Sequence, residues 1–142
     1  MSMENAFDRW RRRVRFFMSL FYGLAGLIHL AWPEPFVAIT PRWVPAPDTV
    51  VLLTGLCELA GAVALLNRRL RYTAAVGLAL YAVCVYPANI KHAVDGLPAA
   101  DASGLRWFYH IPRLLLQPIL MWMPLFATGL VTWPFQPPRK IL

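Results

Sequence analysis

The sequence predicts an all-α integral membrane protein, a four-helix bundle, on three observations. Hydrophobic residues make up 58% of the 142-residue chain and charged residues 15%, against about 45–50% and about 25% in an ordinary soluble domain. Mean hydropathy is +0.49, which leaves too little polar surface to cover a soluble core of this size. Stretches of about 20 mostly apolar residues, each long enough to cross about 30 Å of hydrocarbon, fall near 14–32, 49–67, 72–94 and 109–132. Lipid-facing backbone must satisfy its hydrogen bonds within each span, so the spans are expected to be helices of a single domain with no sheet.

The first span follows "RWRRRVRFF", a charge pattern shared with signal peptides, but "GLIHLAWPEP" at its end offers no small-x-small cleavage site, so it is expected to stay attached. Arg9, Arg11, Arg12, Arg13 and Arg15 precede it, Arg68, Arg69 and Arg71 separate the second and third spans, and Arg139 and Lys140 follow the fourth. With an even number of spans these clusters share one side. The positive-inside bias makes that side cytoplasmic and places both termini in the cytoplasm. The net charge of +7 thus reads as a topology signal and a contact for membrane lipids, and no nucleic-acid partner is expected.

The outer connection at 33–48 carries Pro33, Pro35, Pro41, Pro45 and Pro47, so it should be stiff. Its Phe36, Val37, Ile39, Trp43 and Val44 are too apolar for a solvated loop and suit the headgroup level or the mouth of the bundle. The second outer connection, 95–108, reads as a flexible polar tether.

Glu58 lies inside "VLLTGLCELAGAVALL" with no other charge within eight residues on either side. A central intramembrane acid costs about 2.5–3.5 kcal/mol, so it should face the protein interior. Gly55 and Gly61 lie three residues to either side and would admit a neighbouring helix closely. Candidate partners or neighbours are His29 at the end of the first span, with Tyr22 and Gly26 along the same face, Tyr86 and Asn89 on the third, and His110, Arg113 and Gln117, which form one stripe on the fourth at spacings of three and four. A rise of about 1.5 Å per residue puts Glu58 and Gln117 about 12–14 Å below the outer boundary, and His29, Asn89 and Arg113 at about 5–8 Å. An ion pair between Glu58 and Arg113, supported by Gln117 and Asn89, is the expected centre. Pro87 should bend the third span before Asn89 and expose a backbone carbonyl to the cluster.

No metal is expected, because no two of His29, His92 and His110 share a metal-ligand spacing on one helix. Cys57 and Cys84 read as buried packing residues without a redox motif, and no Gly-rich nucleotide fingerprint or other cofactor signature is present.

At these residues the sequence resembles the DoxX family of small four-helix bacterial membrane proteins. The pieces that carry the resemblance are "GLIHLAWPEPFVAITPRWVP", "LLTGLCELAGAVALL", "RYTAAVGLALYAVCVYPANIKHA" and "RLLLQPILMW". It covers His29, Pro33, Phe36, Pro41, Pro45, Gly55, Glu58, Gly61, Pro87, Asn89, Arg113, Gln117 and Trp122. One departure is Leu115, where the family usually carries a proline; here the proline is Pro112. The resemblance implies an association with quinone or thiosulfate oxidoreduction, or with oxidative-stress complexes.

Two functions stay open on this basis. In one, an outward-opening pocket binds a quinone-like or sulfur-containing ligand, with Glu58 and His29 as proton-transfer groups and Arg113 as an electrostatic clamp; electrons then need a protein partner or the quinone itself, and activity of the chain alone is not expected. In the other, the protein is a non-catalytic carrier of lipophilic small molecules or a scaffold in a redox complex, with a homo-oligomer as one way to complete it.

Overall fold

The structure, a computed structural model, describes residues 3–96 and 105–134. Among these residues there is no β-strand, and the helices are α1 (Met3–Ala31), α2 (Glu34–Ile39), α3 (Pro47–Leu66), α4 (Arg71–Gly96) and α5 (Leu105–Thr128). Four of them, α1, α3, α4 and α5, are long and apolar enough to cross a membrane. Their outer faces leave large aliphatic side chains uncovered, including Val63 at 73% and Leu115 at 66% exposed. Apolar surface on this scale suits lipid as the surrounding medium.

The helix ends differ from the sequence expectation for local reasons. Helix α1 starts well before residue 14 because "ENAFDRWRRR" contains neither glycine nor proline and continues the helix beyond the apolar stretch. Helix α5 ends at Thr128 rather than near 132, because Gly129 takes φ +88°, a conformation that favours glycine. The N–H of Gly129 donates to Phe126 O and that of Leu130 to Leu125 O, the paired bonds of a Schellman stop. The connection at 33–48 contains α2, which Pro35 helps to start. The tether expected at 95–108 falls largely on 97–104, outside the described residues, as do Arg139 and Lys140.

Helix α3 packs mainly on α1 and α4, while α5 packs mainly on α4 and more lightly on α1. Helices α3 and α5 are therefore not principal neighbours. A dry core of Val14, Met18, Tyr22, Ala62, Leu65, Ala74, Ala75, Leu78 and Ala127 joins the four, and Ser19 Oγ donates to Ala62 O at 2.7 Å across the α1–α3 contact.

Glycines set how closely the helices approach. A Cβ on Gly26 would lie 2.7 Å from Gly55 O, and one on Gly55 would lie 2.9 Å from His29 Cβ. The two glycines thus let α1 and α3 meet backbone to backbone, one turn from Glu58. Gly61 instead faces α4, where its Cβ would meet Leu78 Cδ2 at 2.6 Å. A flexible Leu end can give way, whereas a backbone carbonyl cannot.

In detergent melts Gly26→Ala should therefore lose most stability, about 1–3 kcal/mol as for an overpacked core. Gly61→Ala should lose less, and Gly77→Ala, whose Cβ meets nothing within 4 Å, should lose none. Equal melting of the Gly26 and Gly77 variants would contradict this account of the α1–α3 contact.

Candidate functional site

A cavity of about 350 Å³ opens within the C-terminal half of α1, the α2 segment, the N-terminal half of α3, the C-terminal half of α4 and the middle of α5. Most of its wall is apolar, with Phe21, Ile39, Val44, Val85 and Leu116 among the lining residues. Into this wall the helices set the polar side chains of Tyr22, His29, Glu58, Tyr81, Asn89, Arg113 and Gln117.

Glu58, 4% exposed, is held from the two helices that flank α3. Tyr81 Oη of α4 donates to Glu58 Oε1 at 2.7 Å, and His29 Nδ1 of α1 lies 2.7 Å from Glu58 Oε2. The same Nδ1 is 3.0 Å from Ala25 O. The ring nitrogen is thus shared between the Ala25 carbonyl and Oε2, which it meets at ion-pair distance. Phe36 of α2 lies over the His29 ring, with centroids 3.7 Å apart and planes 32° from parallel. The short helix in the proline-rich connection thus roofs the imidazole. Tyr22, 2% exposed, packs edge-on to Tyr81, and its buried hydroxyl has no hydrogen-bond partner.

Across the cavity a second polar chain links α5 to α4. Arg113 Nη2 donates to Asn89 Oδ1 at 2.6 Å, Asn89 Nδ2 to Gln117 Oε1 at 2.8 Å, and Gln117 Nε2 to Ala82 O at 2.5 Å. Arg113 also reaches Tyr109 Oη at 3.3 Å. Each amide is engaged through both its oxygen and its nitrogen, as burial in apolar surroundings demands.

The expected Glu58–Arg113 ion pair is not formed. The two residues stand on helices that are not principal neighbours, and the Arg113 guanidinium is taken up by Asn89 and Tyr109. His29 and Tyr81 come from the adjacent helices and reach the carboxyl first. The Asn89–Gln117 support does form, around Arg113 alone.

His110 and Tyr86, also expected at the site, lie outside the cavity lining. His110 is buried against His92, with ring centroids 5.0 Å apart. Tyr86 Oη donates to Leu114 O at 3.5 Å, the carbonyl that Pro118 leaves without its usual N–H. Gln117 bonds the carbonyl of Ala82, one residue before the Val83 carbonyl that Pro87 leaves without its usual donor. Cys57 and Cys84 are exposed free thiols rather than buried packing residues. Among the described residues no group of three or more His, Cys, Asp or Glu side chains converges as a metal set would.

Tyr81 is the participant that sequence reasoning missed. It stands eight residues before Asn89 on the same helix, two steps of four, and so shares its face. That spacing was the available signal.

Over residues 18–127 the chain matches a family described as a domain of unknown function (DUF8561), and it belongs to that family. No curated protein and no solved structure matches it.

The arrangement sets the expected result of two double-mutant cycles in detergent melts. Glu58→Gln with Tyr81→Phe should couple by about 0.5–3 kcal/mol, whereas Glu58→Gln with Arg113→Gln should be additive within about 0.5 kcal/mol. Strong coupling in the second cycle with none in the first would restore the Glu58–Arg113 pair.

Proposed function

We propose that this DUF8561 member is a DoxX-like protein of the bacterial inner membrane whose cavity binds a lipophilic, quinone-like molecule as part of a redox complex. In this arrangement the four long helices form a bundle with both termini in the cytoplasm and the cavity toward the outer face. The arginine clusters support that orientation through the positive-inside bias. So do the contacts of the start of α1 with the end of α5, where Phe7 meets Phe126 and Arg15 bonds Ala127 O.

One observation carries the ligand assignment: two buried polar atoms of cavity-lining residues keep hydrogen-bonding capacity, Tyr22 Oη, which has no partner, and Glu58 Oε2, which has only the ion-pair contact with His29. Native proteins rarely leave such groups unsatisfied without a functional reason. A carboxylate oxygen with spare acceptor capacity suits a ligand hydroxyl, and a free phenol suits a ligand oxygen. The dihydroxy form of a quinone offers both, and its flat ring suits the apolar wall. On oxidation of such a ligand with His29 in its neutral form, one proton passes to the Glu58 carboxylate, the other to the imidazole of His29, and the two electrons to a protein partner. Arg113, fixed through Asn89 and Gln117, supplies positive charge at the opposite side.

The apolar lining also favours a second reading, a carrier or scaffold site that holds acyl chains without chemistry.

Titration of the purified protein with a short-chain quinol, followed through Trp43 at the cavity wall, should saturate. Glu58→Gln and Tyr22→Phe should each weaken binding by about tenfold, the scale of one hydrogen bond to a charged group. Native mass spectrometry that finds a phospholipid in the cavity, with no quinol response, would favour the second reading. Wild-type affinity in folded Glu58→Gln protein would refute the assignment of Glu58.

A further inference from the structure

A second cleft, of about 800 Å³, lies between the first half of α1, the α3–α4 turn and the end of α5. Five arginines line it: Arg11, Arg12 and Arg15 from α1, Arg68 from the turn and Arg71 from the start of α4. Among the described lining residues the one acid is Asp8. Neither the His29–Glu58 nor the Lys91–Asp95 ion pair uses any of these arginines.

Part of this charge has an internal role. Arg15 Nη1 caps the end of α5 by donating to Ala127 O at 2.7 Å, and Arg71 Nη2 donates to Tyr72 Oη at 2.7 Å. Arg11 lies over the Phe7 ring, 4.4 Å from its centroid. These contacts fix the guanidinium groups but do not saturate them, because Arg11 Nε, Arg11 Nη2 and Arg71 Nε are buried without an acceptor. Unsatisfied charged donors, held in place and crowded by like charge, are unfavourable without an anion.

We propose that this cleft binds a phosphate group, carried either by an anionic phospholipid or by a soluble phosphorylated molecule. Guanidinium forks match phosphate oxygens in planar, paired hydrogen bonds. Donors converging from three segments suit an anion with several oxygens better than a carboxylate with two. Exposed Phe16 and Leu66 border the charged floor, so an acyl chain has apolar surface beside its head group.

The test uses the full chain in neutral detergent. Phosphatidylglycerol binding is measured by native mass spectrometry, with inorganic pyrophosphate as the soluble probe and diacylglycerol as the phosphate-free control. Arg12→Gln and Arg68→Gln change exposed positions, which keeps the fold least at risk, and each should weaken phosphate binding by about fivefold. Arg13→Gln removes the same charge from α1 outside the cleft lining and should bind like wild type.

Retention of phosphatidylglycerol without a pyrophosphate response supports a lipid ligand, and competition by pyrophosphate supports a soluble one. The proposal is overturned if neither probe binds, if diacylglycerol is held as well as phosphatidylglycerol, or if Arg13→Gln weakens binding as much as Arg12→Gln.

Discussion

A carboxyl group inside an apolar helix has to be met by donors from neighbouring helices, and the cavity half of this molecule follows from how Glu58 meets that need. Its two flanking helices each contribute one group, His29 from α1 and Tyr81 from α4. For His29 to reach, α1 must run close to α3, and the facing glycines Gly26 and Gly55 allow that approach one turn away. For the imidazole to stay in place it needs a cover, which Phe36 provides from the proline-rich connection. Glycine, proline and aromatic positions scattered over 30 residues thus serve one buried acid.

The two ends of the helices solve different problems. Around Leu65, Ala75 and Ala127 the interior is filled by apolar side chains, and arginines gather beside it at the rim. At the other end the interior is open, and its polar groups come in two separate networks, one on Glu58 and one on Arg113. Keeping the acid and the base apart leaves each with its own partners. It also leaves polar groups from two networks lining one cavity, which suits a ligand with polar atoms at both edges.

The long helices were legible because lipid imposes both length and apolarity on a span, and those constraints can be read without knowing any contact. Their ends were less so. The α5 stop depends on Gly129 adopting a left-handed conformation, and a lone glycine in an apolar run signals that only weakly. Helix α2 is not legible as a helix within the stiff, apolar connection, because six residues with Pro35 among them carry too little periodicity to mark one. At the site, helical rise puts Glu58, Asn89, Arg113 and Gln117 at similar levels along their helices, and Asn89, Arg113 and Gln117 do join in one hydrogen-bonded chain. It could not give the order of helices around the axis. Depth matching allowed Glu58 to meet Arg113, while lateral order placed α1 and α4, not α5, beside α3. The same missing coordinate moved His110 and Tyr86 away from the cavity.

The central claim is that Glu58 is held by His29 and Tyr81 while Arg113 is held elsewhere. Solid-state NMR on protein in lipid bilayers, with ¹⁵N in histidine or arginine side chains and ¹³C in glutamate carboxyls, measures this directly. The Glu58 carboxyl carbon should lie about 3–4 Å from a His29 ring nitrogen, the separation that a close N···O contact implies, and show no comparable coupling to Arg113. A short distance to the Arg113 guanidinium with none to His29 would contradict the account.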